Sequence, residues 1–450
     1  MTDTPAPSIR LAVLGAGISG LVAAYRLRRL HGDEAHIVLV DAANRPGGQL
    51  YTVDLADGPF DVGAEAFVTR RPEVPALLAE LGLADLIEHP GDARPSVWAG
   101  GALHALPAGT LMGIPASGAA LGDLVDAGAA ARVDAERDRP LRWEVGSDPS
   151  IGALVGDRFG RAVVDRSVDP LLGGVYSGRA DGIGVRAALP TLAAALDAGA
   201  GSLIEAVERA MPPTRSGPVF GSVRGGYRVL VDALLAAADV DLVLGRPVGP
   251  IGRVGGRWSV DPVGDVDGIV VALPAPEAAE ALHGVAPEVS VELARIERAA
   301  AAVVALAIPD DPPLPHRSGV LVAADEPLQT KAFTFSSVKW PARGRTVLRA
   351  SLGRADDAAV VEAADEKLID IALADLETVT GLRVQPHATL VHRWRAGIPQ
   401  YAPGHAALIA EVDRRIADLP GLTLAGAYRH GVGVAACVAD AERAARRARD

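Results

Sequence analysis

The stretch Leu11–Leu27, LAVLGAGISGLVAAYRL, followed by IVLVD ending at Asp41, decides the fold of this chain. An apolar run enters Gly15-x-Gly17-x-x-Gly20 and passes into a segment with apolar residues at helical spacing. Gly15 suits the tight turn, Gly17 lets backbone N–H groups approach a pyrophosphate, and Gly20 lets the helix lie close to the strand. The helix start at Ala16, Gly17, Ile18 and Ser19 then presents its positive dipole end to the phosphates. Asp41, with Ala42 behind it, ends the next strand and suits a ribose hydroxyl. Strand, glycines, helix, strand and acid in this order predict a dinucleotide site on a Rossmann-like α/β domain.

Composition sets the outer bounds. At 450 residues, the chain is too long for one ordinary core, so two or three domains are expected. With 49% hydrophobic and 22% charged residues it reads as globular rather than disordered. A net charge of −12 argues against a nucleic-acid partner. Cys437 is the only cysteine, which excludes an internal disulfide and makes a reducing cytoplasm the expected compartment. Residues 1–8 are short and polar, so no secretory leader is expected, and no apolar run is long enough for a membrane span. The histidines show no metal-ligand spacing and a lone cysteine builds no thiolate site, so no metal is expected.

Beyond Asp41 the segment AANRPGGQL supplies Arg45-x-Gly47-Gly48, a second clamp suited to a pyrophosphate. This extension resembles the FAD proteins of the glutathione-reductase and amine-oxidase class rather than simple NAD dehydrogenases. In that resemblance FDVGAEAF (Phe60–Phe67), with Gly63, Ala64, Glu65 and Ala66, passes near the isoalloxazine ring, and Val248 meets adenine. Near the C-terminus LTLAGAYRHGVGVAACVADAERAARRA reads as strand, Gly-rich turn at Gly426, and helix. Backbone N–H groups of Val432, Gly433 and Val434 at that helix start suit the flavin pyrimidine edge. The FAD domain is therefore expected to be discontinuous: 1–85, 210–275 and 390–450. Residues 86–209 read as a helical domain over a substrate slot, opened by a hairpin at WAGGALHALPAG. Residues 276–390 read as an antiparallel sheet forming the slot floor.

The segments RFGRAVVDRSVDPLLGGVYSGRAD (Arg158–Asp181), GSLIEAV, SVRGGYRVLVDAL, KAFTFSSVKWP (Lys331–Pro341) and RWRAGIPQYAPGH (Arg393–His405) follow in order. Together they resemble the soluble, Gram-positive type of oxygen-dependent protoporphyrinogen/coproporphyrinogen III oxidase. The chain departs from that family's pattern at Asp41, where glutamate is common, and at Ala435-Ala436 before Cys437. The resemblance implies FAD, a porphyrinogen substrate and dioxygen reduced to hydrogen peroxide, with later haem-pathway enzymes as partners. It implies that Trp394 approaches the flavin. Apart from the flavin no catalytic side chain stands out, since no His/Asp pair or paired carboxylates have a compelling spacing.

A flat macrocycle with carboxylate arms calls for an apolar slot with a few cations at its ends. Arg71, Arg179, Lys331 and Lys339 are the candidate cations and Tyr176 a candidate wall. KAFTFSSVKW alternates as a strand, which puts Lys331, Lys339, Phe333 and Phe335 on one face. Coproporphyrinogen III oxidation, protoporphyrinogen IX oxidation, an FAD amine oxidase and a non-catalytic relative all remain open at this stage.

Overall fold

The computed structural model describes residues 9–213, 217–311, 313–341 and 344–448. Its frame is a five-stranded parallel sheet in the order Asp241–Val243, His36–Val40, Arg10–Leu14, Gly268–Val271, Leu422–Leu424. Apart from the exposed edge strand Asp241–Val243, these strands are near-continuous apolar runs because both faces are covered. Leu11, Val13, Ile37 and Leu39 join one core with helices Ile18–His31, Arg228–Ala238 and Val434–Arg447. Ala12, Leu14, Val38 and Val40 alternate to the opposite core, with helices Ala275–Leu282 and His405–Ile416. Segments far apart in the chain thus build one sheet, and its strands end where the glycine fingerprint turns.

A second sheet has seven strands in the order Ala388–Pro399, Arg298–Ala307, Val347–Leu352, Thr330–Thr334, Gly319–Val322, Ser96–Ala99, Ala102–Ala105. Helix Asp365–Thr380 covers one face with Leu368, Ala372, Leu376 and Val379, which recur about once per turn and are all buried. Each of the larger side chains contributes about 1.5–3 kcal/mol by leaving water. Three sequence expectations change here. The hairpin forms around Gly100-Gly101 but joins this sheet, through parallel pairing of Val97 with Leu321, rather than the helical segment 86–209. Helices Ala275–Leu282 and Pro287–Ala294 pack into the parallel-sheet core, so the second sheet begins at Arg298 and not at 276. Strand Ala388–Pro399 runs past the boundary drawn at 390. Long-range strand pairing and helix packing decided these cases, and local pattern does not encode them.

Helices between Ala127 and Ala210 gather around Val155, Phe159, Leu172, Leu192, Leu203 and Val207. Among the described residues no helix is long and apolar enough to cross a membrane.

Candidate functional site

The fingerprint turn forms as a cradle. A Cβ on Gly20 would sit 1.7 Å from the Gly15 carbonyl oxygen, and one on Gly15 would sit 2.5 Å from that of Ala272. These two glycines are thus fixed by packing. Gly17 is different: the nearest atom to a Cβ there is the Gly48 Cα at 4.0 Å, so the space before it is free of protein. No side chain caps helix Ile18–His31, and its first N–H groups point into that space. Gly47 donates to the Ala16 carbonyl at 2.8 Å, which brings the Gly47-Gly48 turn against Gly17. Arg45 donates to the Gly48 carbonyl at 2.8 Å and lies 3.7 Å over the Tyr51 ring, its pKa lowered by burial. Asp41 accepts from Ala16 N–H at 2.6 Å and from Ala43 N–H at 2.8 Å, so its carboxylate closes the turn. Exposed Ala42 follows it, and half-buried Val248 lies beyond Arg246, whose N–H donates to the Asp41 carbonyl at 3.1 Å.

A second uncapped helix start, Gly433 before Val434, belongs to the C-terminal helix that packs against the first. No protein atom lies within 4 Å of a Cβ built on Gly433. The preceding loop is pinned twice. Asp440 accepts from Gly426 N–H at 3.0 Å and pairs with His430 at 2.9 Å. Tyr401 donates its hydroxyl to the Ala427 carbonyl at 2.6 Å and accepts from Gly431 N–H at 2.8 Å. Burial pushes the Cys437 thiol up to about 12, so it is an inert packed thiol.

The segment Asp61–Phe67 runs between this cradle and the seven-stranded sheet. Trp394 donates to the Val62 carbonyl at 2.9 Å, with its ring 4.3 Å from that of His392. Arg349 donates to the Gly63 carbonyl at 3.0 Å. Glu65, buried, accepts from Ser336 Oγ and from Lys339 Nζ, both at 2.8 Å. Ala64 and Ala66 stay half-buried beside it.

The sheet has two unlike faces. Val320, Phe333, Leu348, Ala350 and Leu352 are buried against helix Asp365–Thr380, while Leu321, Ala332, Thr334, Arg349 and Ser351 alternate to the other side and stay half-buried. Arg349 and Trp394 show that this second side looks toward Asp61–Gly63. Helix Asp169–Tyr176 borders it, with Gly174 beside Leu321. Tyr176 is buried there, its ring 5.5 Å from that of Tyr401, and its hydroxyl pKa is pushed up by burial to about 12. Gln400 donates to the Tyr176 carbonyl at 2.7 Å, so the IPQY turn joins all three parts of the molecule.

The lysine expectation is corrected. The strand ends at Thr334, and Ser336–Lys339 coil into a helical turn, so Lys331 and Lys339 do not share a strand face. A bulge between Thr330 and Ala332 also takes Lys331 out of alternation with Phe333. Of the candidate cations, Arg71 pairs with Glu73 at 2.6 Å, Arg179 with Asp356 at 3.1 Å and Asp169 at 3.2 Å, and Lys339 with Glu65. Lys331 is buried and donates to Ser177 Oγ at 2.7 Å and the Gly353 carbonyl at 2.6 Å, with no carboxylate partner among the described residues.

The family model for flavin containing amine oxidoreductase matches residues 18–449. The chain belongs to this family. As a flavin containing amine oxidoreductase it is 49% identical, over 439 residues, to the coproporphyrinogen III oxidase of Mycobacterium tuberculosis, covering 96% of this chain and 95% of that one. It is 30% identical to the protoporphyrinogen oxidase of Bos taurus, over 97% of this chain and 98% of that one. A crystal structure of a candidate protoporphyrinogen oxidase from Exiguobacterium superimposes with a TM-score of 0.85 at 29% identity, covering 98% of both chains. Cyclohexylamine oxidase from Brevibacterium oxydans shares the fold, with a TM-score of 0.71 at 16% identity over 98% of both chains.

In this flavin containing amine oxidoreductase, sequence reasoning missed Arg349, Ser177 and Asp440. Arg349 had a signal, a single charge inside the apolar strand Val347–Leu352. Ser177 and Asp440 had none, since their partners lie on other segments.

Proposed function

We propose that this protein binds FAD and oxidises coproporphyrinogen III to coproporphyrin III. The 49% identity to relatives of that name across 96% of the chain carries the reading. The residues present fit the cofactor, because the free space before Gly17 is bounded by uncapped N–H groups and by Arg45. In this reading, N–H groups of Gly17, Ile18 and Ser19, with Arg45, hold the pyrophosphate and Asp41 the ribose, while Val248 lies at adenine. N–H groups at Gly433 and Val434 face the pyrimidine edge and favour negative charge there. Bound flavin supplies the hydride acceptor. Trp394 and the backbone of Val62–Ala66 exclude water from the reacting face.

The half-buried sheet side carries small side chains, Ala332 and Ser351, beside Leu321, a floor on which a flat macrocycle lies without steric steps. Arg349, held by the Asp61 and Gly63 carbonyls, brings positive charge to that floor, which suits a substrate rich in propionates, and Lys331 lies near it on the neighbouring strand. Arg71, Arg179 and Lys339 are outer members whose own acids must exchange for substrate carboxylates. The proposal includes three two-electron rounds, dioxygen as final acceptor giving hydrogen peroxide, a cytoplasmic setting and delivery of product to later haem-forming enzymes.

The test is parallel turnover of reduced coproporphyrinogen III and protoporphyrinogen IX by the purified yellow protein, read by porphyrin fluorescence against an enzyme-free control. Preference for coproporphyrinogen is expected. Preference for protoporphyrinogen reassigns the substrate, and no acceleration of either removes porphyrinogen oxidation.

A further inference from the structure

Lys331 is an amine placed where a cation has little support. Its side chain is 7% exposed, and both hydrogen bonds it donates go to neutral acceptors, Ser177 Oγ and the Gly353 carbonyl. The charged groups that face it are mostly cationic. Arg349 lies on the neighbouring strand and Arg354 just beyond that strand, while Asp169 of the bordering helix is already shared by Arg354 at 3.5 Å and Arg179 at 3.2 Å. Tyr176 on that helix is neutral, and Asp375 on the covering helix accepts Thr330 N–H at 2.8 Å. Burial, then Arg354 and Arg349, lower the Lys331 pKa to about 7. A neutral amine has two hydrogens and one lone pair. Here the two observed donations use both hydrogens and leave the lone pair free.

Resting on the porphyrinogen reading, we infer that Lys331 Nζ is the proton acceptor of the oxidation, taking the N–H proton a pyrrole releases in each round. The meso C–H bond breaks with its electron pair leaving as hydride to bound flavin. The positive charge left behind is shared with the adjoining pyrrole nitrogen as C=N–H. That N–H bond then breaks, its electron pair stays on nitrogen, and the proton bonds to the Nζ lone pair. The ammonium so formed sits among arginines and gives up its proton readily. Ser177, whose hydroxyl accepts from Lys331, is tied by its carbonyl to Ala355 N–H at 2.8 Å, and Ala355, Asp356 and Arg179 line a cleft of about 920 Å³ close by. Ala332, next along the strand, and its partner Ser351 are small, half-buried side chains on the sheet side that looks toward Asp61–Gly63. A propionate anchor, by contrast, works best fully charged.

The test uses the flavin-loaded enzyme and its Lys331→Met and Lys331→Arg variants. Flavin reduction by coproporphyrinogen III is followed anaerobically in single turnover across pH. The wild-type rate is expected to rise with pH and level off, with a midpoint near 7. Both variants should lose that rise and slow by about 100-fold with flavin content unchanged. A Lys331→Arg enzyme that keeps rate and pH profile overturns the inference, because arginine preserves charge but not basicity. The chain has three lysines, so ¹³C NMR of lysine-labelled protein follows Lys331 without substrate. A Lys331 signal still protonated above about pH 9 also overturns it. If the wild type itself reduces no flavin with either porphyrinogen, the substrate reading fails first; a normal wild type with unaffected variants removes only Lys331.

Discussion

Lys339 Nζ lies 2.8 Å from Glu65 Oε2, an ion pair joining the turn after strand Thr330–Thr334 to the segment Asp61–Phe67. Its side chains are 20% and 8% exposed, so the pair is poorly screened. This position makes Lys339 a joint between the two sheets. Lys339→Met should destabilise the protein by about 2–3 kcal/mol, since it leaves a carboxylate stripped of its ammonium. Urea unfolding followed by flavin fluorescence reads the loss, and adding Glu65→Gln should recover part of it. A raised KM with unchanged stability would leave Lys339 only its proposed role as an outer substrate cation and remove the structural one.

Gly17 and Gly20 should fail in different ways. Gly17→Val is expected to fold, because nothing nearer than 4.0 Å meets its Cβ, yet to purify without flavin. Gly20→Ala drives a Cβ to 1.7 Å from the Gly15 carbonyl and should cost about 3 kcal/mol or more. Circular dichroism and visible absorbance, measured together, separate the two. A yellow Gly17→Val protein removes the cradle assignment.

Trp394→Phe keeps an aromatic ring but loses the 2.9 Å hydrogen bond to the Val62 carbonyl. A stability cost of about 1 kcal/mol is expected, with faster flavin loss on dilution. Flavin retention equal to wild type separates Trp394 from the cofactor.

The turn before the C-terminal helix should weaken as pH rises. Asp413 and Asp440 raise the His430 pKa above its ordinary 6.5. The folded state therefore binds the proton more tightly than the unfolded one, and the stabilisation is full below about pH 6.5 and lost as pH climbs through the raised value. Melting temperatures of wild type and His430→Gln should differ at pH 6 and converge toward about pH 8. A gap that stays constant with pH excludes this linkage.

Sequence alone determined the first strand–turn–helix–strand unit, the glycine turn and the acid at Asp41, because these are contiguous and the contact that fixes Gly20, with the Gly15 carbonyl, is local, whereas Gly15 is fixed by the distant Ala272. It also marked the uncapped helix start at Gly433. Tertiary structure decided the rest of the site. Local alternation put Lys331 and Lys339 on one strand face, but the Thr330–Ala332 bulge and the helical turn at Ser336–Lys339 sent one to Ser177 and the other to Glu65. The hairpin at Ser96–Ala105 likewise found its sheet by pairing with Gly319–Val322. Which cation stays unpaired depends on acids brought in from distant segments, and those distances exist only after the chain has closed.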